Sequence, residues 1–127
     1  MATPKTPAHS HAAQLDLQVS CRLGIPLVYV KGELDHHTAS RLRDVIDEES
    51  ATSPRAVILD LSELSYMDSG GLSLIFETIT RLKAKGWLGV VGATRSVSRL
   101  MEITGLTDQP GLRVLADLAA AAEALQT

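Results

Sequence analysis

A small α/β domain, with a mixed and largely parallel β-sheet packed with about four helices, is the fold this sequence predicts. Three observations predict it. Short apolar runs alternate with helix-periodic segments through the latter two-thirds of the chain, which implies right-handed crossovers between parallel strands. The first two apolar runs are joined by a short connection, which pairs them antiparallel and makes the sheet mixed. At 127 residues the chain fits one domain with a real core.

The elements follow in order. Residues 1–13 are rich in Pro, Thr, Ala and His without periodicity and read as a mobile tail, so the folded domain is expected over 14–127. Alternation of Leu15, Leu17 and Val19 marks a half-buried strand, and a turn around Gly24 leads to a second at Leu27-Val28-Tyr29-Val30. Ala39, Leu42, Val45 and Ile46 form one face of a helix that Asp35 or Thr38 can cap. Ser53-Pro54 breaks the pattern, and the nearly all-apolar run Ala56–Leu61 is a strand buried on both faces. A helix from about 70 to 85 carries Leu72, Ile75, Phe76, Ile79 and Leu82 on one face and stops at Gly86. A strand at Leu88–Val91 follows. Thr94 or Ser96 caps a helix with Val97, Leu100 and Met101 inward, ended by Gly105. Leu112–Leu115 is a last strand, and the Ala run 119–122 favours a final helix.

Composition narrows the function classes. Aromatic residues make up 3% and the net charge is −3, a poor basis for stacking on or neutralising a nucleic acid. The single cysteine, Cys21, rules out an internal disulfide and suits a reducing compartment. The first residues lack the apolar stretch of a signal peptide, and no run approaches the length of a membrane span. A cytoplasmic protein is expected. No cofactor motif is present: Gly86, Gly89 and Gly92 are too widely spaced for a dinucleotide loop, and His9, His11, Asp60, Glu63 and Asp68 lack metal-ligand spacing. Trp87 and Tyr66 read as core or rim residues. Charge is uneven: residues 33–49 carry six acids against two bases, while 78–101 carry five bases and no acid. Solvated helix faces account for this, and electrostatic steering of a protein partner is the sharper alternative.

The stretch Asp68-Ser69-Gly70-Gly71 concentrates the chemistry, because it falls where the buried strand hands over to the second helix. A hydroxyl there lies beside free backbone N–H groups and the positive end of a helix dipole, with two glycines allowing close approach. Such a hydroxyl either attacks or is modified. For attack it needs a base held by a third group. His36 and His37 follow a strand that can reach the same edge, but Met67 stands where Gly-Asp-Ser-Gly-Gly proteases and Gly-x-Ser-x-Gly hydrolases carry Gly. A small serine hydrolase is the weaker reading.

Two segments, Gly32-Glu33-Leu34-Asp35-His36-His37-Thr38-Ala39 and Leu59–Leu72 with its Tyr66-Met67-Asp68-Ser69-Gly70-Gly71, together resemble the STAS domain of anti-sigma factor antagonists of the SpoIIAA type. Segment 93–106, with Arg99-Leu100-Met101 and Thr104-Gly105-Leu106, looks like that family's third helix. The resemblance spans about residues 14–126 and implies a binding module without enzyme activity. It implies a partner that is both anti-sigma factor and serine kinase of the GHKL fold. When unphosphorylated, the protein binds this partner and frees the sigma factor. Phosphorylation of Ser69 ends binding, and a metal-dependent serine phosphatase restores it. Asp35, His36, His37, Asp68, Ser69, Gly70 and Gly71 form the implied partner surface, with no cofactor, nucleic acid or membrane involved. A phosphorylation-switched STAS regulator of a non-sigma pathway would present the same serine turn. Gly70 departs from the family's usual second serine and is expected to loosen the turn. The helix N-terminus near Gly70 is expected to accept the phosphate charge, and Asp68 to brace the turn or touch the partner.

Overall fold

A computed structural model describes residues 15–22, 24–52, 56–82 and 86–125. The proposed tail with His9 and His11, the Ser53-Pro54 break, and Lys83 and Lys85 lie outside these residues. The elements are β1 (Leu15–Arg22), β2 (Ile25–Leu34), α1 (Ala39–Thr52), β3 (Ala56–Met67), α2 (Ser69–Leu82), β4 (Trp87–Val91), α3 (Arg95–Ile103), β5 (Leu112–Leu115) and α4 (Leu118–Leu125). One 3-10 turn at Leu106–Asp108, which the sequence pattern did not show, joins α3 to β5.

The five strands lie in the order β1-β2-β3-β4-β5, antiparallel between β1 and β2 and parallel thereafter. With strands in chain order and right-handed crossovers, successive connecting helices fall on the same side of the sheet. Packing follows that rule. Leu42 and Ile46 of α1, Leu72, Ile75 and Ile79 of α2, and Val97 and Met101 of α3 share one core with Val28, Val57, Leu59, Leu88 and Val90. On the opposite face, Ala121 of α4 packs with Leu27, Ile58, Trp87 and Val91 in a smaller cluster. The alternating inward and outward residues of β2, β3 and β4 therefore feed two apolar layers, which is why these strands read as continuous apolar runs. Because the parallel strands never reverse order, the sheet has no topological switch point. The site lies instead at the carboxyl ends of β2 and β3.

Those two strands are longer than the sequence pattern implied. β3 continues through Ser62–Met67, a stretch that reads as a Ser-rich turn, and pairs with β2 as far as Leu34↔Met67. Two register shifts explain the discrepancy. Between Tyr29↔Asp60 and Lys31↔Glu63, and again between Gly32↔Leu64 and Glu33↔Tyr66, β3 advances one residue more than β2. Each extra residue is a bulge that turns the strand, so burial falls on Leu61, Leu64 and Met67, at a spacing of three instead of two. Gly32, at φ 109, supplies the backbone conformation the second shift needs. β4 ends at Val91, opposite Asp60, so the last turns of β2 and β3 project beyond the rest of the parallel sheet.

Candidate functional site

Leu34, the last residue of β2, is fully buried, and the chain must turn sharply after it to enter α1. Asp35 and Thr38 build that turn together. One carboxylate oxygen of Asp35 accepts the backbone N–H groups of His37 and Thr38, each at 2.9 Å. The Thr38 hydroxyl accepts the Asp35 N–H at 3.0 Å and donates to the Glu33 carbonyl at 2.9 Å. The Asp35 carbonyl closes the turn by accepting the N–H groups of Thr38 and Ala39. Both residues offered by the sequence as caps for α1 thus take part. Burial alone would raise the Asp35 carboxyl, but the N–H groups of Thr38 and His37, the Thr38 hydroxyl and the neighbouring His37 outweigh it and hold it below the usual carboxylate range. The result is a rigid loop that holds the His36 and His37 side chains outward, with their rings 4.0 Å apart.

Asp68 does for α2 what Asp35 does for α1. Its Oδ1 accepts the N–H of Gly70 at 2.8 Å and of Gly71 at 3.2 Å, an N-cap that satisfies two of the helix's orphan donors. Its own N–H donates to the Leu34 carbonyl at 3.2 Å, tying this turn to the end of β2. Ser69 is therefore the first residue of α2, and its exposed hydroxyl makes no hydrogen bond among the described residues. The amides of Gly70 and Gly71 are already bonded to Asp68, so these two are not the free N–H groups the sequence suggested.

The two turns meet. Asp68 Oδ2 lies 3.6 Å from His36 Nδ1. A Cβ at Gly70 would stand 2.5 Å from His36 Cα and 2.6 Å from its N and Cβ, and one at Gly71 would stand 2.8 Å from the Leu34 carbonyl oxygen. The space that two glycines leave is therefore filled by the protein's own β2–α1 loop, not kept open for a visiting molecule. Gly70 tightens the site where the sequence suggested loosening. All seven predicted residues gather at one edge, and His36 meets Asp68, with no hydrogen bond to the Ser69 hydroxyl. The serine–base contact that a hydrolase requires is not formed.

The family pattern of the STAS domain matches residues 16–121. This chain belongs to the STAS domain family. An anti-sigma-B factor antagonist of Staphylococcus aureus is 38% identical over 82 residues, 64% of this chain and 76% of that protein. An anti-sigma F factor antagonist of Paenibacillus polymyxa is 32% identical over 94 residues, 72% of this chain and 80% of that one. Among solved structures, an anti-sigma factor antagonist from Mycobacterium paratuberculosis superposes with a TM-score of 0.77 at 32% identity, covering 89% of this chain and 95% of its own. The five-stranded, largely parallel sheet and four helices are the STAS fold.

Two residues of this STAS domain join the site beyond the seven of the expected partner surface. Thr38, fully buried, is the hub of the loop; its Asp-x-x-Thr spacing from Asp35 was the available signal. Tyr66 is 49% exposed on the projecting end of β3, register partner of Glu33 and two residues before Asp68. The uneven charge is partly consumed internally: Arg81 of α2 pairs with Asp47 of α1 and with Glu77. No group of His, Cys, Asp or Glu suited to a metal ion occurs among the described residues, and no helix there is long and apolar enough to cross a membrane.

Proposed function

We propose that this STAS domain is an anti-sigma factor antagonist switched by phosphorylation of Ser69. The observation that carries the reading is the serine turn itself. An exposed, unbonded hydroxyl opens α2, on a turn fixed by the Asp68 cap at the tip of the two projecting strands. A kinase needs such a hydroxyl reachable and held in place. The names of the relatives agree with it. The partner is an anti-sigma factor that is also a serine kinase of the GHKL fold, met in the cytoplasm on the surface formed by Asp35, His36, His37, Asp68, Ser69, Gly70 and Gly71. Binding frees the sigma factor, and a metal-dependent phosphatase resets the serine. The domain acts as a binding module and substrate, not as an enzyme.

The energetics need no refolding. A phosphate adds about −1.5 to −2 charge at Ser69, next to the Asp68 carboxylate and inside the contact surface. A penalty of about 3 kcal/mol from desolvation, bulk and repulsion weakens binding on the order of a hundredfold. Titration of Ser69→Ala and Ser69→Asp against anti-sigma kinases of the same genome tests the reading. Ser69→Ala is expected to bind and stay bound when ATP is added, and Ser69→Asp to bind at least tenfold more weakly. Equal affinities, or a phosphate mapped by mass spectrometry to another residue, would overturn it.

A further inference from the structure

We propose that His36 is the group that receives a phosphate placed on Ser69. The inference rests on the phosphorylation reading above and goes beyond it, because it names the contact that the modified serine makes within the domain. Both chain neighbours of Ser69 touch His36: Asp68 through its Oδ2, 3.6 Å from Nδ1, and Gly70 through a backbone approach that leaves no room for a Cβ. Two of the helix amides that would ordinarily take an anion, those of Gly70 and Gly71, are bonded to Asp68 Oδ1. A phosphate at the first position of α2 therefore finds these two amides engaged, while His36 stands against the residues on both sides of it. The His36 side chain is 69% exposed. Its backbone is fixed, because the Asp35–Thr38 hydrogen bonds and the Gly70 contact hold the loop in place.

Charge and acceptor count decide which group the His36 ring prefers as a partner. Asp68 offers one negative charge, part of it committed to the two helix amides, whereas a phosphoserine dianion offers nearly two and three acceptor oxygens. The other ionisable groups at the loop are Asp35, whose carboxylate is turned inward onto the His37 and Thr38 amides, and His37, whose ring lies tilted against the His36 ring. Neither Asp35 nor Asp68 competes on equal terms. Phosphorylation then alters both halves of the partner surface: it adds negative charge at residue 69 and withdraws the His36 side chain from solvent.

The test uses the full chain with phosphoserine installed at position 69 during translation, so its outcome does not depend on any kinase. Phosphorus and histidine-ring resonances are followed across pH 5–8 in the parent protein and in His36→Gln, His36→Lys and His37→Gln. In the parent, the second phosphate ionisation is expected about half a pH unit or more below its value in His36→Gln, less than the roughly 1–3 units of a close opposite charge because the His36 side chain is largely exposed. His36→Lys should restore the low phosphate value, and His37→Gln should leave it nearly unchanged. Identical phosphate titration in the parent and His36→Gln, or a shift lost only in His37→Gln, overturns the proposal. Failure of a kinase to modify Ser69 in a separate assay would instead count against the switch and leave the installed contact standing.

Discussion

Thr38 is the residue on which the β2–α1 loop depends, and Thr38→Val tests that directly. Valine replaces the hydroxyl by a methyl of nearly equal volume, so packing is preserved and only hydrogen bonding changes. Two partners are stranded: the buried Asp35 N–H, now 3.0 Å from the hydroxyl, and the Glu33 carbonyl, 2.9 Å away and only part-buried. An unsatisfied buried donor costs about 1–3 kcal/mol and the half-exposed acceptor less, for a gross loss of about 2–4 kcal/mol. The extra buried methyl returns about 0.8 kcal/mol. A net destabilisation of about 1.5–3 kcal/mol remains. At this chain length about 1 kcal/mol corresponds to about 4 °C, so the melting temperature should fall by about 6–12 °C. Urea unfolding followed by circular dichroism measures the free energy. Amide exchange at Asp35–Thr38 should quicken more than in β4, which marks the loss as local. Thr38→Ser, which keeps the hydroxyl and loses a methyl, should be the more stable variant despite its smaller apolar surface. A Thr38→Val protein as stable as the parent, or more stable than Thr38→Ser, would refute the reasoning.

Two further outcomes follow from the same geometry. Gly70→Ser restores the residue that the family resemblance leads one to expect, and is expected to destabilise by about 0.5–2.5 kcal/mol. Overpacking against His36 backbone atoms costs about 1–3 kcal/mol, and the better helix propensity of serine returns about 0.5 kcal/mol. Urea midpoints give the size, and amide shifts confined to residues 35–38 and 68–71 give the place; an unperturbed loop would contradict the close contact. The second outcome concerns acid. Because the folded-state Asp35 carboxyl lies below its usual range, its contribution is fully present above the unfolded value of about 3.9 and is lost as pH falls through the folded value. Asp35→Asn keeps an acceptor but loses the charge-assisted part of these bonds, about 1–2 kcal/mol at pH 7. The stability gap between parent and variant should narrow below about pH 4; a gap constant from pH 7 to 3 would show that the charge contributes nothing.

The legible and illegible parts of this fold separate by mechanism. Two-sided burial wrote β4 and the first half of β3 as apolar runs, and helical spacing wrote α1, α2 and α3, because in each case one local period governs the whole element. The second half of β3 has no single period. Two bulges set its buried residues three apart, and Ser62, Glu63, Ser65 and Tyr66 between them look like a loop. A register shift is a relation between two strands, and neither strand's sequence states it alone. The 3-10 turn at Leu106–Asp108 is too short to carry a period at all.

The site divides in the same way. Asp68 and Ser69 were visible because the hand-over from an apolar strand run to helical spacing is local, while the Asp68 cap on Gly70 and Gly71 emerges only in the structure. The role of the glycines was not, since what fills the space over Gly70 is His36, thirty-four positions away in sequence and brought there by the parallel pairing Leu34↔Met67. That pairing also explains why the two motifs belong together. β2 and β3 end side by side, so the loop after one and the helix start after the other must share a surface, and each acidic cap leaves its neighbour's side chain facing outward. His36 after Asp35 and Ser69 after Asp68 are the two residues so exposed. On the proposed reading, a phosphate at Ser69 acts on His36 through side-chain electrostatics, with both backbones held by their caps. The proposed switch needs a fixed frame and two exposed side chains, and this edge of the sheet has both.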